Sequence, residues 1–129
     1  MTPEVEQAIE EIRTAFAGHR VDVTPEPQGG AYVVVNDLAI GDRYSPPATW
    51  VGFLITFQYP NADVYPHFID AGVRRGDGRA HGGGFSGPTA WPGRAGRVIQ
   101  VSRRSNRWSP AFDTAATKLA KVLEWIKSQ

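Results

Sequence analysis

Val51-Gly52-Phe53-Leu54-Ile55-Thr56-Phe57-Gln58-Tyr59-Pro60 is the stretch on which the fold turns. Phe53, Ile55 and Phe57 alternate along it, so an extended chain places them on one face while its neighbours point the other way. This is the strongest strand signal in the chain, and weaker ones flank it. Arg20-Val21-Asp22-Val23 alternates before the Pro25–Gly30 turn, Ala31 to Val35 is a β-branched run that stops at Asn36-Asp37, and His67-Phe68-Ile69 is a short fourth. The connections are short and carry turn residues, which predicts a four-stranded antiparallel meander. Parallel pairing needs crossover helices, and none is patterned between residues 20 and 110.

Helical periodicity appears only at the two ends. Thr2-Pro3 is a good helix start, since threonine caps and proline at the first turn forfeits no bond. Val5, Ala8, Ile9, Ile12 and Phe16 follow at helical spacing, acids occupy the outer face, and Gly18 is a natural stop. Near the other end Phe112, Ala115, Ala116, Leu119, Val122, Leu123 and Ile126 form a broad apolar stripe. Asp113 and Thr114 mark its start, Lys118, Lys121 and Lys127 are expected on its outer side, and Trp125 is expected to pack at its edge. Helices before and after an antiparallel sheet predict one α+β domain over residues 1–129, with the sheet covered on one face.

The 129 residues suffice for one real core. No apolar run approaches the roughly 20 residues of a membrane span, and the acidic, helical N-terminus does not read as a secretory signal. The expected location is therefore the cytoplasm. Zero cysteines exclude disulfides, thiolate metal sites and thiol catalysis. His19, His67 and His81 are far apart and lack metal-ligand spacing, so neither a metal nor another cofactor is expected.

A net charge of +1 conceals a strong asymmetry. Residues 1–43 hold eight acids against three arginines, whereas residues 72–107 hold eight arginines against Asp77 alone. Such separation favours an acidic partner or chain terminus. Arg97, Arg103, Arg104 and Arg107, with Trp91, are the binding candidates. Gly76 to Gly96 carries eight glycines and two prolines without periodicity, so residues 72–107 read as a long irregular loop pinned by Phe85 and Trp91. Its Gly82-Gly83-Gly84 is no phosphate loop: no Lys-Ser/Thr follows and no helix opens there.

Taken together, these residues resemble the ubiquitin-conjugating fold, including its inactive and RWD-type relatives. Phe53 to Pro60, with Pro66 and Phe68 downstream, resembles that family's third strand, its Tyr59-Pro60 turn and the proline-then-aromatic entry to the fourth strand. Trp108-Ser109-Pro110 resembles the family's Trp-Ser-Pro before the helix that follows the active site. A bacterial subgroup found with ubiquitin-like modifiers and their activating enzymes is similar in Ser102-Arg103-Arg104, Trp108 and Asp113. The likeness covers most of residues 3–127, and it departs where the chemistry lies. Gln100 stands where active members keep cysteine, and Trp91-Pro92-Gly93 replaces the usual His-Pro-Asn. A carboxamide cannot carry a thioester. Ser102 and Ser105 stand beside the aligned position, not on it.

The resemblance implies a variant ubiquitin-conjugating-like protein of a prokaryotic modification system. It would bind or position a ubiquitin-like modifier or its activating enzyme without thioester chemistry. The outer face of the first helix would meet the activating enzyme. One alternative is a divergent transfer enzyme using His81 and Ser102, which requires a cleft joining them to Arg103. Another is a single-stranded nucleic-acid module, with bases stacked on aromatics among the arginines.

Overall fold

Thr2 opens the first helix by accepting the Val5 N–H at 3.1 Å. The computed structural model describes residues 1–129 and runs α1 (Pro3–Ala15), β1 (Val21–Pro25), β2 (Ala31–Ala39), β3 (Tyr44–Ser45), β4 (Ala48–Ile55), β5 (His67–Asp70), β6 (Arg74–Arg75), β7 (Phe85–Trp91), β8 (Arg94–Val101) and α2 (Ala115–Lys127). It is an α+β domain with a helix at each end of an antiparallel sheet. Strands β1, β2, β4 and β5 form the expected meander, but the sheet has six strands, ordered β1-β2-β4-β5-β8-β7. A separate β3–β6 ribbon pairs Tyr44 with Arg75.

The extra strands correct the reading of residues 72–107 as irregular. Residues 85–101 form a hairpin, and β8 pairs with β5 from His67↔Val101 to Asp70↔Val98. Apart from Trp91, its distal half is exposed on both sides, so it carries no hydrophobic alternation, and a register shift between Ser86 and Thr89 breaks the period further. Strand β2 also runs past Asn36-Asp37, through a bulge between Val35 and Leu38 where Asp37 takes φ 59°. Phe57, expected on the inner face of β4, lies beyond the strand and is half exposed.

Both helices lie on one face of the sheet. Val5, Ile9 and Ile12 of α1 meet Leu119, Val122 and Ile126 of α2 over Val33, Phe53, Ile55 and Val101 in a single core. Burying each such valine, isoleucine or leucine contributes about 1.5–3 kcal/mol. Thr114 and Thr117 form a reciprocal capping box that starts α2. Phe112, assigned to the apolar stripe, lies outside the helix and is 85% exposed. Tyr44 donates its hydroxyl to the Ile126 carbonyl at 2.7 Å, tying the β3–β6 ribbon to the end of α2.

The opposite face is sealed by its own cluster of Val34, Trp50, Phe68, Trp91 and Val98. Trp91 stacks on Phe68 with centroids 4.8 Å apart and on Trp50 at 6.4 Å. Its ring fits between two glycines. A Cβ on Gly52 would come within 2.5 Å of it, and one on Gly93 would come closer still. Trp91 is thus a buried packing residue and offers no surface to a partner, contrary to its place among the binding candidates.

Candidate binding site

After β8 the chain runs beside α2, and one buried ion pair holds it there. Lys118 Nζ donates to both Asp63 carboxylate oxygens at 2.9 and 3.0 Å and to Ser105 Oγ at 2.6 Å. Ser105 returns its N–H and hydroxyl to the same carboxylate at 2.7 and 3.1 Å. The lysine side chain is 5% exposed. Lys118 therefore lies on the packed side of α2, not the outer side expected of it. All three Nζ donors are committed, two to Asp63 and one to Ser105. The group fastens three segments together.

A second tie joins the two motifs that carry the family resemblance. Trp108 Nε1 donates to the Pro60 carbonyl at 2.7 Å, and the Tyr59 hydroxyl accepts the Ala115 N–H at 3.1 Å. Burial, partly opposed by that N–H, holds the Tyr59 phenol above its usual pKa. Asp113 accepts the Ser109 N–H at 2.6 Å, closing the Trp-Ser-Pro turn just before α2.

Between these anchors the arginines are presented outward. The Arg103 guanidinium lies 4.7 Å over the Trp125 ring, and Arg104 lies 4.7 Å over Tyr65. Each contact stabilises by about 0.5–1 kcal/mol at an exposed site, and it occupies the guanidinium face while leaving the N–H edge free. Neither they nor Arg107 has an acidic partner within 4 Å. Together with Lys121 and Trp125 they line a recess of about 280 Å3. Lys121 reaches Asp113 at 3.5 Å, the one acid on the rim that is not already paired with Lys118. The arrangement can hold an anion through two or three guanidinium edges.

The other candidates lie elsewhere. Arg97 donates to the Pro88 carbonyl at 2.7 Å, bracing the β7–β8 hairpin. Gln100 sits half-buried on β8, paired with Phe68 and Ser86, and donates its amide to Ser102 Oγ at 3.1 Å. His81 Nε2 is 2.9 Å from the Val73 carbonyl, so it carries the proton and donates. Its ring stacks between Tyr44 and Phe85. The cavity it lines includes neither Ser102 nor Arg103, so the structure does not join the three in one cleft. No group of three or more His, Asp or Glu side chains converges as a metal site, and no helix is long and apolar enough to cross a membrane.

Sequence reasoning missed Asp63, and it gave Ser105, Lys118 and Lys121 no place in this site. Lys118 was legible in principle: it follows Ala115 by three residues and precedes Val122 by four, which places it on the apolar stripe. Asp63 carries no such signal, being 55 residues from its partner. No family model, curated protein or solved structure matches the chain.

Proposed function

We propose that the chain is a variant ubiquitin-conjugating-like protein of a prokaryotic ubiquitin-like modification system, acting by binding rather than by thioester transfer. Its recess at Arg103, Arg104 and Arg107 receives the C-terminal carboxylate or an acidic surface of a ubiquitin-like modifier. The observation that carries this reading is the set of three guanidiniums without an acid of their own, two of them, Arg103 and Arg104, laid over aromatic rings. Preorganisation lowers the ordering cost of binding, and guanidinium edges suit a carboxylate.

The four-stranded meander, the terminal helices, and the tie from Trp108 to the Tyr59-Pro60 turn support the ubiquitin-conjugating-like assignment. Gln100 at the position of the family's cysteine supports a binding role, since its amide is not a nucleophile. The acidic outer face of α1, with Glu4, Glu6, Glu10 and Glu11, suits a basic surface on an activating enzyme.

Calorimetric titration with a ubiquitin-like protein, in free-acid and C-terminally amidated forms, tests the reading. Saturable binding on the order of tens of micromolar or tighter is expected for the free acid. Arg103→Ala with Arg104→Ala should weaken it by about tenfold or more, as loss of charge-assisted bonds implies. Absence of binding at that concentration with both arginines intact refutes the proposal.

A further inference from the structure

A second cavity lies on the other side of the Phe85–Trp125 contact, where the two rings are 5.1 Å apart. Its volume is about 480 Å3, within the range of small-molecule pockets. One wall is apolar, made by Val73, Phe85, Pro88 and Ile99, with the His81 ring stacked on Phe85 at 4.9 Å. The other wall is cationic, made by Arg74, Arg75 and Arg79.

The charge there is not balanced. Asp77 is the acid of this loop, and it is committed: Arg75 donates to it through Nε at 3.3 Å and NH2 at 3.1 Å, and the Arg79 N–H donates at 2.9 Å. Those bonds, the Arg75 guanidinium first, hold its carboxyl down to about 2. Arg74 and Arg79 have no acidic partner within 4 Å. Their loop is held in place by backbone bonds from Gly76 to the Arg43 carbonyl at 2.7 Å and from Gly78 to Arg75 at 3.1 Å. His81, bonded to Val73, closes its far end. Two guanidiniums without acid partners thus border an apolar wall, on a loop whose backbone is held in place.

We propose that this cavity binds a small organic anion, with an apolar body against the Phe85 edge, Pro88 and Ile99 and a phosphate or carboxylate head held by Arg74 and Arg79. The site is separate from the Arg103–Arg107 recess, and neither reading depends on the other.

Amide NMR of the full chain, titrated with phenyl phosphate, benzoate, inorganic phosphate and phenol, tests it. Saturable shifts confined to residues 73–88 are expected with phenyl phosphate or benzoate, and the tighter of the two identifies the head group. Inorganic phosphate and phenol should each bind about tenfold more weakly or worse, as each lacks one half of the contact. Arg74→Gln with Arg79→Gln, two exposed positions, should remove binding while leaving the remaining amide spectrum in place. Three results overturn the proposal: no saturable shift with either aromatic anion at about 10 mM, a concentration that reveals even very weak sites; shifts centred on Arg103–Arg107; or unchanged affinity in the double variant.

Discussion

Replacing His67 by leucine should make the protein more resistant to acid. His67 is fully buried on β5, its ring centroid is 5.1 Å from that of Phe53, and neither ring nitrogen has a hydrogen-bond partner. Burial, reinforced by the Lys118 charge and opposed by Asp63, lowers its pKa from 6.5 to about 3. In the unfolded chain the same imidazole titrates near its ordinary value of about 6.5. Between these two values the unfolded state binds a proton that the folded state refuses, so stability falls as pH falls through that window. The slope from this one group is about 1.4 kcal/mol per pH unit, or about 2.5 kcal/mol lost between pH 7 and 4.5. That is a large part of a typical stability of about 5–15 kcal/mol. His67→Leu removes the titration and two unsatisfied nitrogens while keeping apolar contact with Phe53. It should therefore be at least as stable at pH 7. Its advantage should widen by about 2.5 kcal/mol at pH 4.5. Urea unfolding followed by far-UV circular dichroism at several pH values measures the gap, since carboxylate effects common to both proteins cancel. A gap constant to within about 0.5 kcal/mol across that range would show that His67 titrates normally in the folded state, and the argument from burial would fail.

Asp63→Ala strands the Lys118 ammonium in a 5% exposed position. It should cost about 3–5 kcal/mol in urea unfolding, whereas Asp63→Leu with Lys118→Met should recover most of that loss. Thr114→Ala removes the side chain that accepts the Thr117 N–H at 3.1 Å, and about 1 kcal/mol of stability should go with it. Trp108→Phe keeps the ring packing but deletes the bond to the Pro60 carbonyl. A loss of about 1 kcal/mol is expected by the same measurement, together with amide shifts at Asn61 and Ala62, while no change at either would show that the bond does not hold the turn.

The meander and the helices were legible because their residues repeat with the period of the structure they adopt. Val33, Val35, Phe53 and Ile55 alternate toward the helices, and Val5, Ile9 and Ile12 return every three or four residues. The β7–β8 hairpin was not legible, for two reasons. Apart from Trp91, its distal residues face solvent on both sides, and Val98, Ile99 and Val101 are buried on both faces of the sheet, so neither part alternates. Tertiary pairing with β5 makes these residues a strand, and nothing local announces it. The site divides the same way. The arginine run is visible as charge, and its outward presentation could be anticipated. The Asp63 carboxylate that organises it comes from a distant loop, and only the fold brings it there. Trp91 was misread because an aromatic among arginines has the composition of a nucleic-acid surface, while its burial depends on the two glycines it fits between.

Those two glycines have a consequence for how the protein can change over generations. Gly52 is on a central strand and Gly93 is in the hairpin turn, yet both leave room for one indole. A lineage that acquires a side chain at either position must already have lost the bulk of Trp91, and one that loses Trp91 leaves a gap that only a larger residue at 52 or 93 can refill. The three positions form one inherited unit spread over 42 residues of sequence. Among related chains they should vary together or not at all, and that joint variation would mark which relatives keep the hairpin docked on the sheet.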